Sequence, residues 1–263
     1  MQDGTEELCK EIYVGATETL IDSRDNTTYM AGRLKDGKCW MLDNLARDPT
    51  NSTTAANMNA SNTNATQEAI ANLLNGGSTT AGWSNTAVAD VDTNFYDGGY
   101  TVPRINNASK DTLVPSYGPA STSGQAKAGI YYNFCAASVS TYCYTSGQGI
   151  DVSDTIIDAP QDICPANWRM PTGGNTGEYS TLAQKYTNIA IETNSLQYNL
   201  STPLSGYCYG SSAYYQGSSG DWWSSTYSIS YDMYSLGVGS TNVSLYSSNK
   251  RNYGLSMRCL MAD

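Results

Sequence analysis

Seven cysteines are the side chains of this sequence best suited to covalent chemistry: Cys9, Cys39, Cys135, Cys143, Cys164, Cys208 and Cys259. No two form a C-x-x-C pair, so the spacing fits neither a zinc knuckle nor a thioredoxin-type redox pair. The chain is 14% charged and rich in Ser, Thr, Asn and Tyr, and in such a chain cysteines point to disulfides made in an oxidising compartment. Cys135 and Cys143 flank the small-residue stretch "CAASVSTYC", which a local disulfide would close. The odd number leaves one thiol over. Histidine is absent, which removes Ser-His and Cys-His pairs, His-ligated zinc and any imidazole acid–base group near pH 7. An enzyme built from this chain would have to use carboxylates, Cys, Tyr, Lys or an oxygen-bound metal. Asp221, Asp232, Glu178 and Glu192 are the carboxylates a glycosidase could use. That chemistry needs two at a set separation, nothing in the sequence pairs them, and plain surface carboxylates are the simpler reading. No cofactor is implied. Calcium stays open, because oxygen ligands from loops leave no sequence trace, but no EF-hand pattern indicates it.

Recognition chemistry has more to work with. The 263 residues hold 21 Tyr and 5 Trp against 2 Phe. Disordered chains lack aromatics, so this composition favours an ordered core with many rings at a wet boundary, where Tyr packs its body and keeps a polar tip. Between Ser205 and Tyr253 lie nine Tyr and fourteen Ser, with Asn and Gly interspersed. Paratopes use that mixture: rigid amphipathic rings for area, small polar residues for adaptable hydrogen bonds. The competing reading is a wet β-surface that keeps the domain in solution. On the first reading the candidate anchors are Tyr209, Tyr214, Tyr215, Trp222, Tyr227, Tyr231 and Tyr246. A net charge of −10 argues against nucleic acid or an anionic membrane as partner. No apolar run is long enough to span a bilayer.

The elements that must position these residues follow from local pattern. Residues 1–26 read as a lead-in, following a removed signal or membrane anchor, since the start shows neither a basic n-region nor an apolar h-region. Thr27 to Leu34 reads as a strand, Asp36-Gly37 as a hairpin turn, and Cys39-Trp40-Met41 as the returning strand. Residues 48–128 are the least regular, with one helix expected over Ala65 to Leu74 before Asn75-Gly76-Gly77. Gly177 to Ile189 is the best amphipathic helix, with Tyr179, Leu182, Ala183, Tyr186 and Ile189 on one face. From Ser205 the alternation in "DWWSSTY", "MYSLGVG", "NVSLYSS" and "YGLSMRCLM" suits short antiparallel strands.

Six segments follow one another along the chain: "DGKCWMLDNL", "GIYYNFCAAS", "DICPANWRMPT", "EYSTL", "SSGDWWSST" and "RNYGLSMRC". On these the chain resembles the Fibrobacter succinogenes major paralogous domain family, over roughly Thr27 to Leu260, with 48–128 as an unmatched insertion. The resemblance implies an α+β fold similar to formylglycine-generating enzymes and C-type lectins. Such a fold has two helices packed on small twisted antiparallel sheets, is loop-rich and is disulfide-stabilised, here as a single domain over 27–263. Motif placement implies a Cys164–Cys259 bond. Nearness pairs Cys135 with Cys143, elimination pairs Cys9 with Cys39, and Cys208 is left over. Trp40, Trp168, Trp222 and Trp223 lie inside the motifs, and core packing is the plainer role for each. Formylglycine-generating enzymes use a cysteine pair near the C-terminal end, but "GYCYGSS" around Cys208 does not match that pattern. The calcium-binding motifs of lectins are missing too. The resemblance therefore implies a non-catalytic, extracellular binding or adhesion domain on a bacterial surface or pilus-like appendage. Its partner would be a protein or glycan on another cell, or a neighbouring surface subunit. The C-terminal position of the Tyr-rich stretch is where retroelement-diversified proteins of this fold carry variable residues. The alternatives are a secreted enzyme of the formylglycine-generating type and a purely structural surface subunit.

Overall fold

A computed structural model describes residues 9, 17–49, 57–76, 105–106, 110–139, 158–186, 195–209, 212–228, 232–239 and 242–262. β1 (Thr17–Asp22) pairs antiparallel with β2 (Thr27–Arg33), which pairs with β3 (Cys39–Met41) across the Asp36-Gly37 turn. Gly37 sits at φ +84°, the left-handed region where a Cβ is penalised, so the expected hairpin forms for the expected reason. β1 precedes residue 27, so the last part of the lead-in belongs to the domain.

The remaining elements are α1 (Gln67–Gly76), β4 (Ile105–Asn106), β5 (Leu113–Pro115), β6 (Gln125–Lys127), β7 (Tyr131–Tyr132), α2 (Phe134–Ala137), β8 (Trp168–Arg169), α3 (Glu178–Gln184) and α4 (Leu196–Asn199). They continue with β9 (Tyr207–Tyr209), β10 (Ser212–Tyr214), β11 (Ser219–Tyr227), β12 (Asp232–Gly239), β13 (Val243–Lys250) and β14 (Leu260–Met261). The result is an α+β domain of small antiparallel sheets, with two helices of more than one turn or so, α1 and α3, and disulfide bonds. None of the described helices is long and apolar enough to cross a membrane.

One sheet, ordered β1-β2-β3-β14-β8, gathers both ends and the middle of the chain. Leu260 lies opposite Trp40 on one side and Arg169 on the other. Beside this seam Cys164 bonds Cys259 with Cα atoms 5.9 Å apart, and Cys9 bonds Cys39 at 5.8 Å. Both pairs are the expected ones. Cys135 is also disulfide-bonded, while its expected partner Cys143 lies outside the described residues. The rigid loop "CPANWRMPT" is fastened by Asp162. Its buried carboxylate accepts the Cys164 N–H at 2.9 Å, the Met170 N–H at 2.8 Å and the Asn64 amide at 2.8 Å. Burial pushes that carboxyl up to about 6 against the pull of these donors.

The four motif tryptophans are all fully buried. Trp168 and Trp223 belong to one apolar cluster, Trp40 and Trp222 to a second. Trp222 donates to Asn44 Oδ1 at 2.7 Å and Trp223 to the Tyr132 carbonyl at 2.7 Å, so each ring is oriented as well as packed. Arg258, also fully buried, stacks 5.2 Å from the Trp222 ring and donates to the carbonyls of Leu200 and Ser201. Two elements differ from the sequence reading. The described part of 48–128 is built into the core, with Ile70, Leu73 and Val114 buried and Thr63 bridged to Pro165. The helix expected over Gly177 to Ile189 is α3, with Gly177 as its N-cap and Lys185 as its C-cap.

Candidate functional site: a tyrosine cluster beside Asp221

β9 and β10 form a hairpin in the register Tyr207↔Tyr214, Cys208↔Ala213, Tyr209↔Ser212. Alternation along β9 sends Cys208 inward, where it is buried against Tyr131, and leaves Tyr207 and Tyr209 on the opposite side. Mutual hydrogen bonds between Cys208 and Gly254 then bring Tyr253 alongside. Five rings meet. Tyr207 stacks on Tyr253 with centroids 5.5 Å apart and planes 6° from parallel, and on Tyr214 at 5.8 Å. Tyr215 tilts against Tyr207 at 5.8 Å, and Tyr209 lies 4.8 Å from Tyr253 and 6.5 Å from Tyr214.

The exposure of this cluster is unusual. Tyr214 is 43% exposed and Tyr215 62%, two of the four large hydrophobic side chains that stand out on the described surface. Tyr215 also holds φ at +55°, a region that a bulky residue enters only under constraint. The constraint is local. Its carbonyl accepts from the backbone N–H groups of Ser218 and Ser219 and from the Ser218 hydroxyl. The next residue, Gln216, donates its amide to the Tyr131 hydroxyl at 2.9 Å. Gly206, at φ +69°, lies so close that a Cβ there would fall 2.0 Å from the Tyr214 carbonyl oxygen. The hairpin is thus pressed against the body by a glycine and pinned by a buried tyrosine.

Asp221 adjoins the cluster. A parallel bridge between Gly206 and Gly220 sets Tyr207 and Asp221 side by side, one residue past the bridge on each strand. Burial pushes the Asp221 carboxyl up to about 6, and its one hydrogen bond among the described residues comes from the Ser219 hydroxyl at 3.3 Å. The Tyr207 phenol is raised by burial first, then by its acidic neighbours Tyr253, Tyr215, Asp221 and Tyr214.

Of the candidate anchors, Tyr209, Tyr214 and Tyr215 come together. Trp222 and Tyr227 do not present a contact surface: Trp222 is fully buried against Asn44 and Arg258, and Tyr227 is 6% exposed with Arg251 5.9 Å over its ring. Both point into the core because β11 is covered on both faces over Trp222 to Tyr227, which alternation alone does not reveal. Tyr231 lies outside the described residues, and so does the side chain of Tyr246, whose backbone is in β13. The anchors expected from the sequence include neither Tyr207 nor Tyr253. The period-two spacing of Tyr207 and Tyr209 was the available signal for the first; Tyr253 joins only through the Cys208–Gly254 bridge.

Among the described residues, the side chains named for catalysis are placed as follows. Cys259 is committed to Cys164, and Cys208 is buried outside any disulfide. Glu178 is bound by Arg169 at 2.5 Å and Lys38 at 2.9 Å. Burial alone would raise its carboxyl, but these cations hold it down at about 2. Glu192 lies outside the described residues. Among the described residues no three Cys, Asp or Glu side chains gather as a metal site would require. A separate cleft of about 840 Å³ runs between β2 and the β5–β6 hairpin, lined chiefly by Thr, Ser, Asn, Gln and charged side chains, and it shares no residue with the tyrosine cluster. Comparison with protein-family models, with curated proteins and with solved structures finds no match.

Proposed function

We propose that the chain is a non-catalytic, extracellular binding domain of the C-type-lectin-like type, displayed on a bacterial surface or appendage, and that its contact face is the cluster Tyr207, Tyr209, Tyr214, Tyr215 and Tyr253. The observation that carries this reading is Tyr215: a large ring, 62% exposed, held at a positive φ by hydrogen bonds from Ser218 and Ser219. Core tyrosines are buried, and strained backbone that persists on a surface marks a place where geometry is used. Exposed aromatic patches on an otherwise polar chain are contact sites, and Tyr supplies contact area at low entropic cost. The six ordered motifs and the disulfides fit a surface-displayed domain of this type.

The test is adhesion. Fluorescent beads coated with the protein are offered to bacterial cells, animal cells and beads carrying the same protein. The Tyr214→Ala/Tyr215→Ala double variant is compared with the parent. Retention on at least one surface is expected, with a loss of ten-fold or more in the double variant and an unchanged melting temperature. Beads that adhere to nothing, or a double variant that adheres like the parent, would overturn the reading. A double variant that unfolds would show instead that the two rings are structural.

A further inference from the structure

The Asp221 carboxylate is poorly served by its own protein. It is half-buried and receives one long hydrogen bond, from Ser219 to Oδ2, and no described Lys or Arg side chain touches it. Oδ1 has no hydrogen-bond partner among the described residues. Other carboxylates of this molecule are paired or multiply hydrogen-bonded, as Asp162, Glu178 and the Asp22–Arg24 pair are. The strand across from Asp221 carries Gly237 at the paired position. A Cβ at Gly237 would lie 3.3 Å from Oδ1 and 3.0 Å from the Ser247 hydroxyl. Gly237 is not at a positive φ, so its backbone does not demand glycine. What glycine does here is leave Oδ1 uncovered.

The neighbourhood favours positive charge. Tyr207 lies beside Asp221, the neighbouring Tyr214 and Tyr215 are exposed, and aromatic rings attract cations. No described cation stacks on Tyr207, Tyr214 or Tyr215, although Lys35, Arg251 and Arg258 occupy other aromatic rings of the protein. The chain as a whole carries −10, which draws basic partners and repels acidic ones.

We propose that Asp221 is the anchor for a basic side chain, arginine or lysine, of a protein partner, its cation bonded to Oδ1 and its aliphatic stem lying against Tyr207 and the exposed rings of Tyr214 and Tyr215. The proposal rests on the tyrosine face being the contact face and names the chemistry of what it meets. A guanidinium suits the place best, since it both pairs with a carboxylate and stacks on aromatic faces.

The probe is a fluorescein-labelled hexa-arginine peptide, read by anisotropy at low salt. A protein of this charge attracts any polycation, so the comparison is between charge-matched variants. Asp221→Asn and Asp111→Asn each remove one negative charge, and Asp111 is an exposed residue paired to Lys127. Asp221→Asn is expected to weaken binding ten-fold or more and Asp111→Asn less than two-fold. Gly237→Ala keeps the charge and covers Oδ1, and is expected to weaken binding as Asp221→Asn does. Equal effects of Asp221→Asn and Asp111→Asn, or binding by Asp221→Asn as tight as the parent's, would overturn the proposal. In the adhesion assay, arginine amide should compete and glutamine amide should not. Periodate treatment of the target surface should leave adhesion intact, and protease treatment should abolish it. Adhesion that depends on Tyr214 and Tyr215 but is lost after periodate and indifferent to arginine amide would sink this proposal while leaving the tyrosine face standing.

Discussion

Asp221→Asn should make the protein more stable at neutral pH, and the size of the gain is set by the carboxylate's surroundings. In the fold the carboxyl titrates at about 6; in an unfolded chain it titrates at about 3.9. Between these values the native state holds a proton that the unfolded state has lost, so stability falls as pH rises. The contribution is fully present below pH 4 and gone above pH 6. Two units at 1.36 kcal/mol each give a cost of about 3 kcal/mol for keeping the ionised group in the fold at pH 7.5. Asparagine is neutral at every pH and its carbonyl oxygen can still accept from Ser219. The expected result is therefore no difference between variant and parent at pH 4 and a variant more stable by about 3 kcal/mol at pH 7.5, or a melting temperature higher by roughly 6–12 °C. Urea unfolding followed by tryptophan fluorescence measures it, since four of the five tryptophans are fully buried. A variant less stable than the parent at pH 7.5, or a difference that does not grow between pH 4 and 7.5, would refute the reasoning.

Glu178→Gln should show the opposite pH signature. Its carboxyl is held at about 2 by Arg169 and Lys38 after burial is offset, so the variant should lose up to about 3 kcal/mol at pH 7, a deficit that shrinks as pH falls below about 4; denaturant titrations at pH 7 and pH 3 check it. Trp168→Ala should cost about 3–5 kcal/mol, because the ring is fully buried in the seam where β8 meets β14. Circular dichroism melts of the oxidised protein would show the loss, and a melting temperature within a degree or two of the parent's would contradict the placement.

The scaffold was more legible in the sequence than the site. Scaffold positions announce themselves through residues with few alternative uses. Asp36-Gly37 between apolar runs makes a hairpin, a Trp inside a Cys-Pro-flanked loop is core, and Cys164 and Cys259 fall in motifs that the fold brings together. The site depends on contacts that no local pattern encodes. Trp222 and Tyr227 read as anchors, yet the second face of β11 is covered by Asn44, Arg258 and Arg251, which are distant in sequence. Asp221 is indistinguishable from Asp232 in the sequence. Only the pairing of β11 with β12 sets Asp221 opposite a glycine, while Asp232 pairs with Lys250 at the far end of the same sheet. Tyr253 became part of the cluster through a two-residue bridge to Cys208.

Three features converge on one small area: an exposed ring at a positive φ, a stack of tyrosines left at the surface, and a half-buried carboxylate with one long hydrogen bond and no counter-ion among the described residues. Each lowers stability, and each would be removed by a common substitution, Tyr215→Gly, Tyr214→Ser or Asp221→Asn. Two buried arginines elsewhere in the domain are well served. Arg24 finds Asp22, the Ile163 carbonyl and Thr63, and Arg258 finds two carbonyls, Asn44 and a tryptophan face. A scaffold held by the Cys164–Cys259 bond, worth up to about 4.7 kcal/mol for a loop of this length on the chain-entropy account, can carry a surface that is locally unfavourable. On the proposal made above, the strained ring and the underserved carboxylate are two halves of one preorganised face, whose missing interactions a partner would supply on docking.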